Sequence, residues 1–128
     1  MQWRQLLGMD QAKIEDLRYV GYTYLKEGHY KIAIRFFEAL TILEPKNAYD
    51  YRTLGALYLQ TGQLQYALNY LERSLRLDPK HELAKLNKLK TLYLLGYYKQ
   101  ANTLAEDLIK SASLQVKNKA ESLLMAYS

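Results

Sequence analysis

The chain has 128 residues, 49% of them hydrophobic, so it is long enough for one domain with a buried core. It contains no cysteine, which excludes disulfides and thiol redox chemistry. Its formal net charge is +5, and it has no run of about eighteen apolar residues and no secretory leader. We therefore expect a cytoplasmic protein that does not insert into a membrane.

Residues 1–12 are predicted to form an N-terminal arm. Trp3, Leu6 and Leu7 make a short apolar cluster within it, which is too brief to be a stable helix alone. Two interpretations remain open: a lid packed on the following helices, or a contact with a second copy in a homodimer. Asp10 is a candidate N-cap for the next helix.

After the arm, glycine, alanine, tyrosine and proline recur at an interval of 34 residues. Gly28, Gly62 and Gly96 mark positions where a helix stops and reverses, because glycine accepts the left-handed conformation at little cost. Pro45 and Pro79 cannot continue a helix and should end the second helix of a pair. The pattern predicts paired helices over 13–27 and 30–43, 48–61 and 64–77, and 82–95 and 98–111.

Three repeats are thus predicted, at 14–47, 48–81 and 82–113. Behind them, residues 114–128 carry apolar side chains at helical spacing among charged ones. This segment should form a helix that caps the last apolar face. Its apolar positions are Leu114, Val116, Ala120, Leu123, Leu124 and Tyr127.

This pattern resembles the tetratricopeptide repeat, a helix–turn–helix unit. The middle copy carries the motif most completely, and the third is eroded, with Lys85 and Lys88 at usually apolar positions. The resemblance implies an all-α solenoid that winds into a right-handed superhelix. We expect Ala33, Ala67 and Ala101 to be buried at the closest helix contacts. The motif of the middle copy is Tyr51, Leu54, Gly55, Tyr58, Gly62, Leu64, Ala67, Leu71 and Pro79.

The residue pattern gives no support for catalysis. His29 and His81 lie on different connections, with no partner at metal-ligand spacing, and no glycine-rich phosphate loop is present. We therefore predict no enzyme activity, metal or cofactor. After residue 79 the sequence contains eight lysines and four acidic residues. Lys85 and Lys88 share one side of their predicted helix, but Lys90 points away from that side. A nucleic-acid partner is not expected, although binding with steep salt dependence would indicate one.

The first helix of each pair is apolar on two sides rather than one. The second side should be polar if it met only water. In a tetratricopeptide solenoid the first helices line a concave groove, so these residues predict a binding site for a protein client. Internal packing, or cover by the arm, is the alternative for some of them. The predicted partner-binding residues are Arg18, Tyr22, Leu25, Tyr49, Arg52, Leu59, Leu83, Leu86, Lys90 and Tyr93.

Several short phrases also resemble the class II chaperones of bacterial type III secretion. The resemblance covers residues 19–110 and implies a cytoplasmic protein that holds an apolar extended segment or an amphipathic helix of a secreted subunit. The arm is shorter than is usual in that group. A needle-subunit chaperone and a generic assembly scaffold are the alternatives. The phrases are Phe36-Phe37-Glu38-Ala39-Leu40, Leu54-Gly55-Ala56 with Gly62-Gln63, and Asn69-Tyr70 ahead of Asp78.

Overall fold

The computed structural model describes residues 3–128; Met1 and Gln2 of the predicted arm lie outside the described residues. Over this range the chain forms eight α-helices and no strand, which confirms the predicted all-α solenoid. None of these helices combines the length and apolar character that crossing a membrane requires. The helices are α1 (Trp3–Leu6), α2 (Gln11–Lys26), α3 (Tyr30–Leu43), α4 (Ala48–Gln60), α5 (Leu64–Leu77), α6 (Glu82–Leu95), α7 (Tyr98–Ser111) and α8 (Leu114–Tyr127).

The turns form where the sequence places them. Gly28, Gly62 and Gly96 have φ angles of 81°, 79° and 82°, the left-handed values that favour glycine. Asp10 caps α2, since its carboxylate accepts a hydrogen bond of 2.9 Å from the backbone N–H of Lys13. Each pair therefore reverses direction at a glycine that has nearly the same backbone conformation.

The helices form two layers, and the contacts between them define the curvature. α4 contacts α6, and α6 contacts α8, while Arg18 and Tyr22 join α2 to α4. Within residues 3–128, neither α3 and α5 nor α5 and α7 pack on each other as α4 and α6 do. A stack of helix pairs that touch along one side and separate along the other curves around the touching side. The inner layer of the solenoid therefore consists of α2, α4, α6 and α8.

Small residues allow the two helices of a pair to approach closely. Ala33, Ala67 and Ala101 are all completely buried, as predicted. Gly55 of α4 lies against Leu71 of α5 so closely that an added Cβ would come 2.6 Å from the Leu71 Cγ and 3.2 Å from its backbone nitrogen. The pair α4–α5 is therefore packed against backbone as well as side chain, with no room for a methyl group.

The two ends of the described chain differ in how they are covered. At the C-terminal end, α8 packs on α6 and α7 and buries Val116 and Ala120, which agrees with a capping helix. At the N-terminal end, α1 contacts α3, yet Trp3, Leu6 and Leu7 remain 53%, 58% and 62% exposed. A lid would bury these side chains on the first repeat, so the structure does not support that interpretation.

Replacing Gly55 with Ala should lower the free energy of unfolding by about 1–3 kcal/mol, because the methyl group overlaps the buried Leu71. Helix propensity alone predicts the opposite sign, a gain of up to about 1 kcal/mol for alanine. Chemical denaturation monitored by circular dichroism separates the two. A stabilised Gly55→Ala variant would show that the α4–α5 contact is looser than described.

Candidate functional site

The inner layer carries an aromatic and cationic cluster where α2 meets α4. The Tyr22 ring packs edge-on to Phe37, with centroids 5.2 Å apart, and lies 5.8 Å from the ring of Tyr49. The Arg52 guanidinium lies over the Tyr49 ring, 4.5 Å from its centroid. Burial raises the pKa of the Tyr22 hydroxyl, which pairs with the Thr53 hydroxyl at 3.2 Å. Tyr22 is thus half-buried and packs beneath Tyr49, which is 44% exposed.

Arg18 does not lie on the open surface as expected. Its guanidinium bonds both carboxylate oxygens of Asp50, at 2.8 Å and 2.7 Å, and also pairs with Glu15 and Glu44. Hydrogen bonds to Asp50 raise the pKa of Arg18, and those to Glu44 and Glu15 act in the same direction. Asp50 is fully buried, so its charge needs this partner. Arg18 therefore joins the first repeat to the second, and the expectation that it lies on the open surface is wrong.

Leu86 and Tyr93 also depart from the predicted open groove. Both are buried in a core cluster formed by α6, α7 and α8. The Tyr93 ring stacks on Tyr127 of α8, with centroids 4.6 Å apart, and its hydroxyl donates a hydrogen bond of 2.8 Å to the Asn102 Oδ1. The predicted exposure of these two residues is wrong, because α8 packs across the face of α6 that the sequence pattern left open.

The remaining predicted residues border the inner surface to different degrees. Leu83 is 48% exposed on α6, while Leu25 and Leu59 are half-buried against the core of the first two repeats. Lys90 is half-buried and lines two shallow depressions of about 360 and 380 Å³ between inner helices. The structure thus divides the predicted residues between an open surface and the core beneath it.

Three apolar or aromatic residues that line the depressions are not among the predicted site residues. Leu94 of α6, which is 53% exposed, lies with Leu59, Lys90, Leu123 and Tyr127 around one of them. Leu123 and Tyr127 were assigned to the cap. Their helical spacing was visible in the sequence, but the position of α8 beside α6 was not. The cap is therefore also the last wall of the inner surface.

A more voluminous concavity of about 700 Å³ lies elsewhere, at the connection between α3 and α4. Trp3 and Arg4 of α1 border it, together with Tyr51 and Arg73. Both of its arginines are engaged, since Arg4 lies 3.9 Å from Glu44 and the Arg73 guanidinium stacks over Tyr51 and Tyr70. The inner surface remains the better candidate, because its apolar side chains are exposed over three consecutive inner helices.

Residues 20–89, more than half of the chain, match the profile of the tetratricopeptide repeat family. The chain belongs to this family. No curated protein sequence matches it. The repeat profile ends within α6, so the third pair and α8 are recognised through the structure.

Comparison with solved structures shows that nearly the whole chain has the tetratricopeptide fold. The Yersinia enterocolitica type III secretion translocator chaperone SycD gives a TM-score of 0.85 at 18% identity, covering 98% of both chains. SycD in complex with a peptide of the translocator YopD gives 0.84 at 22% identity, covering 93% of this chain and 95% of SycD. PcrH in complex with the chaperone-binding region of PopD gives 0.86 at 20%, covering 94% of both chains. At these identities the likeness establishes the fold.

Replacing Arg18 with Met should lower the free energy of unfolding by about 2–3 kcal/mol at neutral pH, because Asp50 would remain buried without a cation. Replacing Asp50 with Leu in the same chain should restore most of the loss. Denaturant titrations of the single and double variants measure the difference. An undiminished deficit in the double variant would show that Arg18 acts through packing alone.

The deficit of the Arg18→Met variant should also depend on pH. Burial raises the pKa of Asp50 even beside Arg18, and removing the cation raises it further. A carboxyl group whose pKa is higher in the folded state destabilises the fold as pH rises through that pKa. The stability difference between the variant and the original chain should therefore be smaller at pH 5 than at pH 7.

Proposed function

We propose that this tetratricopeptide protein is a non-catalytic chaperone that binds an apolar segment of another protein across its inner layer. The observation that carries the proposal is the row of exposed apolar side chains on that layer. Tyr49, Leu83 and Leu94 are 44%, 48% and 53% exposed, although the fold does not require them for its own packing. Exposed apolar surface of this kind on a folded domain is typical of a binding site.

The class of client that we propose is a translocator subunit of a type III secretion system, held in the bacterial cytoplasm before export. The likeness to SycD over nearly the full length, and to PcrH with the chaperone-binding region of PopD, supports this class. The inner surface is apolar with few cations, which suits an extended apolar segment. A needle-subunit chaperone and an assembly scaffold remain the alternatives.

Replacing Tyr49, Leu83 and Leu94 together with Ser should weaken client binding by about a hundredfold or more, since side chains of this size in a groove act as hot spots. Stability should change little, because the three positions are exposed. A matched control replaces Ile32, Tyr66 and Leu77, which are similarly exposed on the outer helices. Calorimetry with the client identified by co-purification from the native host provides the measurement.

Equal loss in the inner and outer triple variants would contradict a site on the inner layer. The chaperone role needs a second assay, in which the protein is co-expressed with the client subunit that co-purification identifies. A chaperone keeps the subunit soluble, and the inner triple variant does not. If the client binds but is equally soluble without this protein, the scaffold alternative is correct.

We further propose that α1 joins two copies of the chain. Trp3, Leu6 and Leu7 expose more than half of each side chain, which suits a contact between subunits. Replacing all three with Ser should convert a particle of twice 15.0 kDa into one of 15.0 kDa in light scattering after size exclusion. A monomeric mass for the original chain at micromolar concentration would refute the contact.

A further inference from the structure

Arg18 and Arg52 occupy the same position in consecutive repeats, 34 residues apart, on the inner helices α2 and α4. Equivalent positions in a repeat have equivalent backbone surroundings, so differences in their environment come from the side chains around them. The comparison between the two arginines is therefore internally controlled. The side chains around Arg18 and those around Arg52 differ in charge.

Three carboxylates neutralise Arg18, and none of their counterparts neutralises Arg52. The acids around Arg18 are Glu15, Glu44 and Asp50. The residues one repeat later are Tyr49, Asp78 and Ala84. Of these three, only Asp78 is acidic, and it makes no ion pair with Arg52 within residues 3–128. Its carboxylate instead accepts a hydrogen bond of 3.2 Å from the backbone N–H of Lys80.

Arg52 is consequently placed by packing rather than by an acid. Tyr49 is the counterpart of Glu15, and the Arg52 guanidinium lies over its ring, 4.5 Å from the centroid. Its Nε is buried and has no hydrogen-bond partner among the residues that the structure describes. Burial lowers the pKa of His81, and the positive charge of Arg52 lowers it further. A buried guanidinium N–H group without a hydrogen-bond acceptor is costly unless a partner supplies one.

We propose that Arg52 is a specificity residue that selects a client segment carrying a carboxylate side chain between apolar ones. The inference rests on the proposed client site, because Tyr49 and Leu83 supply the apolar contacts on either side. The client's carboxylate would pair with Arg52 as the acidic residues of this chain pair with Arg18. A guanidinium binds a carboxylate through two parallel N–H bonds, and the pairing is stronger in poorly hydrated surroundings.

Two synthetic nine-residue peptides test the selection directly. The first is acetyl-Ala-Leu-Ser-Leu-Glu-Leu-Ser-Leu-Ala-amide, and the second has Gln in place of Glu. The glutamate peptide should bind about tenfold more tightly, because one charge-assisted contact is gained at a partly buried site. Nitrogen-15 NMR gives both dissociation constants, and the Nε–Hε signal of Arg52 should shift with the glutamate peptide only.

Variants then assign the preference to Arg52. Arg52→Gln should abolish the tenfold difference between the two peptides. Lys90→Gln, which removes another inner-layer cation, should preserve the difference to within about twofold. Inorganic phosphate serves as a further probe, and a shift of the Arg52 signal equal to that with the glutamate peptide would overturn selection of a carboxylate.

Restoring the internal acid provides a second test that does not remove Arg52. Tyr49→Glu places a carboxylate three residues before Arg52, as Glu15 precedes Arg18. This variant should lose the preference for the glutamate peptide, whereas Tyr49→Gln, which removes the same ring, should keep it. Tyr49 is exposed, so both chains should fold. Equal behaviour of the two variants would overturn the proposal.

The outcomes separate this inference from the proposed function. If both peptides bind the original chain equally well, the inner layer is a binding site but Arg52 selects nothing. If neither peptide binds, the inner layer does not accept apolar segments, and both proposals fail. A preference that survives Arg52→Gln assigns the selection to a different cation.

Discussion

The close approach of the two helices in each pair is the constraint on which the rest of the structure depends. Gly55 lies directly against the side chain and backbone of Leu71, and the alanines of the outer helices are completely buried. The helices of a pair then behave as one rigid unit that cannot bury its apolar face alone. Stacking these units brings the first helices into one layer. The inner surface, with its exposed Tyr49, Leu83 and Leu94, follows from that stacking.

The junctions between the units differ chemically. At the first junction, the buried Asp50 needs Arg18, and the surrounding Glu15 and Glu44 complete an ion cluster between repeats. At the second, the counterpart Arg52 stacks on Tyr49 and keeps its charge uncompensated within the described residues. At the first junction the charged side chains pair with one another within the chain. The second leaves a cation beside apolar surface, and binding can use such a cation.

Much of the fold was predictable from local chemistry. Gly28, Gly62 and Gly96 require positive φ angles, and Asp10 can cap a helix from its own side chain, so the turns and helix ends were confirmed closely. The candidate site was less predictable. Helical periodicity assigned Tyr49 and Tyr93 to one kind of surface, yet Tyr49 is exposed and Tyr93 is buried under Tyr127. Periodicity states which side of a helix is apolar and gives no information on what covers it.

The sequence by itself determined the helices, the turns and the repeat, because each depends on residues within a few positions of one another or on one recurring period. Only the tertiary structure decided which apolar residues stay open. Where α8 lies against α6, it buries Leu86 and Tyr93 and adds Leu123 and Tyr127 to the inner wall. The tertiary structure also decided that Arg18 is neutralised by Asp50 of the next repeat, whereas Arg52 is not neutralised in this way. Contacts between residues far apart in the sequence, such as Arg18 with Asp50 and Tyr93 with Tyr127, fix these outcomes, and no local pattern records them.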